Sequence, residues 1–238
     1  MAETNNILSN FEQFLVKEYF KYGSINKVFQ KHRYNLPISF SGYDRVLNKY
    51  QVIKSAGPNS KLSESLDILS LVANYKISLE KVYQRLAPKT IQVSTKTLHR
   101  ILHHIRLGLT RRLGVALLIS PQNEPDKILF GNDQSLTNPS LGTKGDLSLP
   151  MGHSKTGESI QDSIARVLQN EVFTASVINN SFPWKIIPEH IKPIMYISIA
   201  DILVSVYKIE LSGKHPKFSS FKLSNLRYRK ISNLNENS

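Results

Sequence analysis

The segment Leu149–Ser159 reads LPMGHSKTGES, and it runs into an apolar-periodic segment that predicts a helix over Ser159–Phe173. Five residues separate Gly152 from Glu158, and seven separate Glu158 from Arg166. A glycine loop, an acid before the helix and a base inside it form three spaced anchors in one local context. This segment therefore decides how the C-terminal half is interpreted.

The three anchors resemble the box of the Nudix superfamily, which runs Gly, five residues, Glu, seven residues, then Arg-Glu-apolar-any-Glu-Glu-any-Gly-apolar. The resemblance extends over residues 109–230 as a fold and implies an α+β domain with a mixed sheet and flanking helices. In active members it also implies hydrolysis of nucleoside diphosphate derivatives with Mg or Mn. The clustered glutamates of the box hold these hard ions beside the pyrophosphate while water attacks.

The chain departs from this pattern at the metal-binding positions. Val167 stands where the first helix glutamate belongs and Asn170 where the second belongs, whereas Glu171 keeps the last. Phe173 and Thr174 replace the final glycine and apolar residue. The resemblance thus implies weak metal binding, with Glu171 the one candidate metal ligand or catalytic residue, and a Mg or Mn cofactor only if hydrolysis is retained.

Other residues of the box keep their roles as anchors. The resemblance makes Glu158 and Arg166 a structural pair joined by charge-assisted hydrogen bonds, with Gly152 and Gly157 shaping the loop. His153 is either a ligand contact or a tolerated loop residue. Residual hydrolysis would need Glu171 to work with a carboxylate from elsewhere, and the candidates are Asp146, Glu189, Asp201 and Glu210.

Charge divides the 238-residue chain into two unequal parts. Residues 1–112 hold 18 Lys and Arg against 7 Asp and Glu, a net +11, while the remainder holds 13 against 11, a net +2. Lysine and arginine that neutralise phosphates release condensed counterions, so a basic half favours a polyanionic partner. The alternative is a generally basic solvated surface.

An internal repeat organises the basic half. The segment 27–31 reads KVFQK and 81–85 reads KVYQR, an offset of 54, while 39–47 aligns with 94–102 at an offset of 55. Two matches at nearly one offset indicate a duplicated unit. Each unit predicts three helices: near 11–22, 25–32 and 41–50 in the first, and near 65–75, 79–86 and 95–107 in the second.

Three short helices with an amphipathic last one resemble a helix-turn-helix module, whose last helix enters the major groove. The alternative is a helical array that binds a protein partner. Outward-facing side chains of the two third helices, and the basic residues that follow, are the candidate nucleic-acid contacts. They are Arg45, Asn48, Lys49, Lys96, Thr97, Arg100, His103, His104, Arg106, Arg111 and Arg112.

The expected organisation is all-α followed by α+β. Residues 1–54 and 55–108 form helix-turn-helix-like modules 1 and 2, residues 109–230 the Nudix-like domain, and residues 231–238 a disordered tail. Strands are expected at 113–119 and 127–130 and within the β-rich segment 194–209. Cysteine is absent, which excludes thiolate metal sites and cysteine nucleophiles. Without a signal pattern or an apolar run long enough to span a bilayer, the expectation is a cytoplasmic protein with no membrane partner.

These features favour a DNA-binding, transcription-regulator-like protein with a catalytically inactive, nucleotide-sensing Nudix-like domain. Duplex DNA is the preferred partner, and a nucleotide or nucleotide-sugar is the expected ligand. Two alternatives remain open: a pyrophosphohydrolase tethered to nucleic acid, and a protein-interaction scaffold. The sequence does not decide whether the nucleic acid is DNA or RNA, and it does not identify the target site, the ligand or the oligomeric state.

Overall fold

A computed structural model of the chain describes residues 2–55, 103–104, 107–110, 112–134, 145–199 and 202–232. Almost all of the second predicted helical module therefore lies outside the described residues, as do residues 135–144 and 233–238. Of the predicted tail, Ile231 donates its backbone N–H to the carbonyl of Asp126 at 3.1 Å.

Three helices open the chain, namely α1 (Ala2–Tyr22), α2 (Ile25–Lys31) and α3 (Phe40–Lys49). They enclose a core of their own, whose buried members are Leu15, Val16, Tyr19, Val28, Phe29, Tyr43, Leu47, Tyr50 and Val52. The predicted helices of the first unit are present. The first begins at Ala2 rather than near residue 11, because its polar opening turns lack the apolar period on which the prediction depended.

Serine caps fix where α2 and α3 begin. Ser24 accepts a hydrogen bond from the N–H of Lys27 at 3.3 Å, and Ser39 accepts one from the N–H of Gly42 at 3.1 Å. A side-chain oxygen at this position satisfies one of the free amide groups of the first turn. Residues 32–39 connect the two helices, which is longer than the three- or four-residue turn of a helix-turn-helix.

The C-terminal part is an α+β domain, as expected. Its strands are β1 (Arg112–Pro121), β2 (Lys127–Asp133), β3 (Leu147–Ser148), β4 (Met151–Ser154), β5 (Met195–Ile199), β6 (Ile202–Leu211) and β7 (Leu223–Lys230). Its helices are α4 (Ile160–Glu171) and α5 (Thr174–Ile178), with a 3-10 turn at Trp184–Ile186.

The larger sheet is mixed and has the order β4-β1-β6-β5. β1 runs parallel to β6 along its whole length, from Arg112 opposite Ile202 to Pro121 opposite Leu211. β4 and β5 add antiparallel neighbours at the two sides. The β-rich segment 194–209 thus divides between two antiparallel strands.

The smaller sheet is antiparallel and has the order β3-β2-β7. Its register shifts between Phe130 and Asn132. A Cβ atom on the intervening Gly131 would lie 2.7 Å from the Cβ of Leu223, so this close approach of two strands requires glycine.

Helix α4 packs with both sheets, and this packing positions the candidate site. The shared core contains buried residues of α4, β1, β2 and β6, namely Ile164, Val167, Leu168, Val115, Leu117, Ile119, Leu129, Tyr207, Ile209 and Leu211. Leu226 and Tyr228 of β7 pack on the same cluster. The buried face of α4 is therefore packed against strands that the sequence places far apart.

The helical unit also packs against the C-terminal domain. Val177 of α5 is fully buried in the core of the three N-terminal helices, and Phe182 packs on the cores of both parts. None of the helices in the described part of the chain is long and apolar enough to cross a membrane.

Candidate functional site

The candidate site lies at the turn from β4 into α4. Gly157 adopts a φ of +75°, a left-handed conformation that favours glycine and lets the chain reverse before the helix. Ser159 then caps α4 by accepting a hydrogen bond from the N–H of Asp162 at 3.0 Å. This glycine turn and serine cap place Glu158 at the start of α4, facing back toward its axis.

Glu158 and Arg166 form the pair that the sequence predicted. Both guanidinium NH groups reach the carboxylate, one at 2.6 Å, and Arg166 also donates to the carbonyl of His153 at 2.8 Å. The Lys155 amide and the Ser163 hydroxyl donate to the same carboxylate oxygen at 2.9 and 2.8 Å. Arg166 and its partners thus join strand, loop and helix into one hydrogen-bonded unit.

This network sets the ionisation of the glutamate. Burial by itself would raise the pKa of the Glu158 carboxyl, but hydrogen bonds from Arg166, Lys155 and Ser163 outweigh it and hold the pKa below its ordinary value. Glu158 is therefore a carboxylate at neutral pH whose oxygens are occupied by protein donors.

Glu171, the remaining box glutamate, is buried at the other end of α4. Its Oε1 accepts a hydrogen bond from Nζ of Lys222 at 2.6 Å, and its Oε2 accepts the backbone N–H of Met151 at 2.8 Å. Burial raises the pKa of the Glu171 carboxyl, and the nearby Asp133 adds to the rise, whereas Lys222 and Met151 oppose it. Each oxygen of the last candidate metal ligand thus has a protein donor.

The two replaced box positions have taken structural roles. Val167 is buried in the shared core, and a Cβ on Gly152 would lie 3.3 Å from its Cγ2. The side chain of Asn170 donates to the backbone carbonyl of Arg166 at 2.7 Å. Neither side chain supplies a carboxylate, so Glu171 is the one carboxylate left at the metal-binding positions of the box.

The end of the box is also built for packing. Phe173, in place of the glycine, is fully buried and lies 5.8 Å from the ring of Phe218. The hydroxyl of Thr174 donates to the carbonyls of Gln169 and Asn170 at 2.9 and 3.0 Å. These contacts close the C-terminal turn of α4 onto α5.

Of the four carboxylates predicted as possible helpers for Glu171, three lie in the described part of the chain. Glu210 pairs with Lys208 at 2.7 Å on the outer part of β6, and the backbone carbonyl of Glu189 accepts the side chain of Gln161. Asp146 lies just before β3, while Asp201 lies outside the described residues. Within the described ranges, no group of three or more His, Asp or Glu side chains is placed to hold a metal ion.

Among the predicted nucleic-acid contacts, α3 carries three. Arg45 and Asn48 are exposed, and within the described residues each makes a 3.4 Å contact with the residue four positions earlier in the helix. Lys49 is exposed as well, but both oxygens of Glu12 from α1 bind its ammonium at 2.6 and 2.9 Å, which raises the pKa of Lys49. Arg45 and Asn48 are the members of this face that remain available for a partner.

The other predicted contacts are only partly described. His103 and His104 are helical residues whose rings meet edge to face at 6.1 Å. Arg112 begins β1 opposite Ile202. The remaining predicted contacts lie outside the described residues: Lys96, Thr97, Arg100, Arg106 and Arg111.

Lys222 is the site residue that sequence reasoning missed. It precedes β7, 51 positions after Glu171, and nothing local marks it. A general signal was available, because a lone glutamate on a helix face that is otherwise buried requires a cation or hydrogen-bond donors nearby. Burial of Glu171 therefore predicts a cationic or hydrogen-bonding partner for its carboxylate, but not which residue that partner is.

No family model and no curated protein sequence matches the chain. Among solved structures, it is similar to the MutT protein from Methanosarcina mazei Go1, with 13% identity and a TM-score of 0.38, over 55% of this chain and 84% of that one. It is also similar to the Nudix domain of Shewanella oneidensis NrtR complexed with ADP ribose, with 12% identity and a TM-score of 0.36. This likeness covers 67% of this chain and 88% of that one. A third similar structure is a bifunctional NMN adenylyltransferase/ADP ribose pyrophosphatase from Francisella tularensis, with 16% identity and a TM-score of 0.38. This likeness covers 58% of this chain and 41% of that one.

Proposed function

We propose that the chain is a nucleic-acid-binding, regulator-like protein whose Nudix-type C-terminal domain binds a nucleotide or nucleotide-sugar without hydrolysing it. The observation that carries this proposal is the engagement of both Glu171 oxygens, one by Lys222 and one by the Met151 amide. The box keeps the residues that shape its loop, whereas its last metal-binding carboxylate is satisfied by protein groups.

Hydrolysis by the family's chemistry depends on divalent ions held by several oxygen ligands. A divalent ion beside Glu171 would meet the ammonium of Lys222, which already lies 2.6 Å from one carboxylate oxygen. Val167 offers no oxygen, and Asn170 uses its amide group on the backbone of α4. Repulsion between Lys222 and a divalent ion, together with the missing oxygen ligands, supports a site that binds a nucleotide without hydrolysing it.

A binding role is supported by the loop that survives. The Glu158–Arg166 pair and the bond from Arg166 to the His153 carbonyl hold β4, the glycine turn and α4 in a fixed relation. A preformed loop of this kind lowers the ordering cost of binding a small molecule. The nucleotide class of ligand follows from the resemblance of this loop to the Nudix box.

Nucleic-acid binding is supported by the charge of residues 1–112 and by the exposed face of α3. This half carries a net +11, and a partner with regularly spaced phosphates is the polymer that such a charge suits. Arg45 can pair with guanine and Asn48 with adenine. Duplex DNA is the partner proposed for this face.

The ligand half of the proposal is tested with the full chain and a set of nucleoside diphosphate derivatives, with Mg or Mn present. We expect at least one of them to raise the melting temperature while phosphate or nucleotide release stays at the level of the buffer. Robust turnover that Glu171→Gln abolishes would overturn the non-hydrolytic assignment and favour the pyrophosphohydrolase.

The nucleic-acid half is tested by fluorescence anisotropy with labelled duplex DNA, single-stranded DNA and RNA across a salt series. Affinity should fall steeply with salt, and Arg45→Ala should weaken specific duplex binding by about 1–3 kcal/mol. Lys208→Ala, an exposed lysine of β6 paired with Glu210, is the matched control. A chain that binds none of the three probes at low salt contradicts this half of the proposal.

A further inference from the structure

The turn that follows α2 contains two adjacent residues in an unusual backbone conformation. Arg33 and Tyr34 have φ values of +51° and +59°, the left-handed region that residues with side chains rarely enter. Three backbone hydrogen bonds hold the turn, including one from the Tyr34 N–H to the Phe29 carbonyl at 2.8 Å. Such a conformation persists only where its surroundings impose it, and it is a reason to look for function.

This conformation puts an aromatic ring into solvent. Tyr34 is 62% exposed, and its ring lies 6.2 Å from that of Phe29. On the other side, Phe29 stacks on Phe40 at 4.0 Å with the two planes 11° apart, and Phe40 is 43% exposed. One buried ring therefore supports two exposed aromatic side chains.

Cations surround the turn. Lys27 and Lys31 are exposed residues of α2 that lie four positions apart, which places them on one face of the helix, and exposed Arg33 follows two positions after Lys31. Together with Tyr34 and Phe40 they form a surface that we name the α2 turn patch. All five residues are exposed, and together they combine positive charge with aromatic area.

The described acidic side chains of the helical unit have partners outside this patch. Within residues 9–55, the described carboxylates are those of Glu12, Glu18 and Asp44, and each has another partner. Glu12 pairs with Lys49, Asp44 with Lys54, and Glu18 with His32 and Lys21. None of the ion pairs within residues 9–55 therefore involves a cation of the patch.

We infer that the α2 turn patch is a contact for unpaired nucleic acid, in which a base stacks on Tyr34 while Lys27, Lys31 and Arg33 lie along the phosphates. This inference rests on the proposed nucleic-acid function and deepens it by naming a second surface and an unpaired segment as its target. Exposed aromatic rings bind bases only when those bases are unstacked, and cations beside the ring follow the backbone. An acidic protein would satisfy the charges but has no planar base to place on the ring.

The test uses the full chain and anisotropy with fluorescein-labelled oligothymidylate and with a blunt duplex. Tyr34→Leu should weaken oligothymidylate binding by about 5- to 150-fold and change duplex binding little, whereas Tyr34→Phe, which keeps the ring, should retain the affinity. Removing two cations in Lys31→Ala/Arg33→Ala should reduce the slope of log K against log salt by about 1.4. Lys208→Ala is the control for loss of an exposed lysine elsewhere.

The outcomes separate this inference from the proposed function. Unchanged oligothymidylate binding by both the Tyr34→Leu and the double cation variant, in a wild-type chain that binds nucleic acid, overturns the patch and leaves the function in place. Failure of the wild-type chain to bind any probe overturns the function itself. Competition by polyglutamate as effective as that by unlabelled oligothymidylate overturns the base contact and indicates an acidic protein partner.

Because Tyr34 packs beside Phe29, its replacement can also affect folding. A second measurement is independent of that effect: photocrosslinking of an oligonucleotide containing 5-iodouracil to the wild-type chain, followed by mass spectrometry. A crosslink to Tyr34 or to Phe40 is expected. Crosslinks found only elsewhere in the chain overturn the assignment of the patch.

Discussion

The side-chain oxygen of Gln169 accepts a hydrogen bond from the backbone N–H of Ile53 at 2.8 Å, across 116 positions of sequence. The same amide donates to the carbonyl of Gln51 at 2.9 Å, and the Gln169 side chain is fully buried. Gln169 belongs to α4, and residues 51–53 directly follow α3. One amide therefore joins the helix of the Nudix-like box to the helix that carries Arg45 and Asn48.

Replacing Gln169 with leucine is expected to lower the free energy of unfolding by about 2–4 kcal/mol, because the Ile53 N–H and the Gln51 carbonyl lose their buried partner. Urea unfolding measures the change, and amide hydrogen exchange should rise at residues 51–55. Gln161→Ala, an exposed glutamine of the same helix, is the control and should cost well under half as much. Equal losses from the two variants would contradict the role of this amide.

Ligand binding and nucleic-acid binding are expected to influence each other through this amide. If a nucleotide that raises the melting temperature also changes DNA affinity, DNA must change nucleotide affinity by the same factor, typically about 5–150-fold. Titrations with and without the second partner measure it, and Gln169→Leu should reduce the factor. A ligand that binds equally well in both titrations would show that the two halves are merely tethered.

Lys222→Met is expected to lower the free energy of unfolding at neutral pH by about 3–5 kcal/mol, since it leaves the buried carboxylate of Glu171 without its counter-charge. The double variant Lys222→Met/Glu171→Gln should recover most of the loss. Because burial raises the pKa of Glu171, the loss in the single variant should shrink as the pH falls and the carboxyl becomes neutral.

Urea unfolding of the four members of this cycle gives the coupling energy. Lys208→Met serves as the control, because its ion pair with Glu210 is exposed and contributes at most about 1 kcal/mol. Additive losses for Lys222 and Glu171 would contradict a tightly coupled pair.

Restoring the box glutamates by Val167→Glu/Asn170→Glu is expected to destabilise the chain without creating a hydrolase. Val167 is buried in the shared core, and an unpaired carboxylate there costs about 3–5 kcal/mol. The Lys222 ammonium would still be hydrogen-bonded to the Glu171 carboxylate. Manganese-dependent nucleotide release from the purified variant measures the outcome, with Asn170→Glu alone as the comparison. Turnover in a fully stable double variant would show that the site tolerates metal despite Lys222.

Stability in acid should depend on Glu158. Its pKa is held below the ordinary value for a glutamate, so its ionisation stabilises the fold above that ordinary pKa, and this contribution disappears as the pH falls through the lower folded-state pKa. Glu158→Gln should therefore melt at a lower temperature than wild type at pH 7, with the difference narrowing below about pH 4. Melting curves from pH 3 to 7 test this, with exposed Glu189→Gln as control. A difference independent of pH would assign the effect to packing alone.

The sequence was sufficient to predict several local features of the fold. The resemblance carried by Gly152, Glu158 and Arg166 implied a Glu158–Arg166 pair, and that pair is present. Gly152 was expected in a loop but lies within β4. The apolar period placed α2 and α3 close to their observed bounds. These predictions succeed because capping, helical periodicity and a pair eight positions apart depend on neighbours that any folded form of the segment brings together.

The replacement of two box glutamates was also evident in the sequence, and it predicted a weak metal site. The sequence could not show that the surviving Glu171 is engaged by Lys222, nor that Gln169 binds the backbone after α3, because these partners lie 51 and 116 positions away. Residues so far apart meet only because the segment after α3 and the residue before β7 both reach the C-terminal end of α4. The sequence alone thus determined which groups the box retains, and the tertiary structure decided which of them are satisfied, because that depends on distances between elements rather than on residue type.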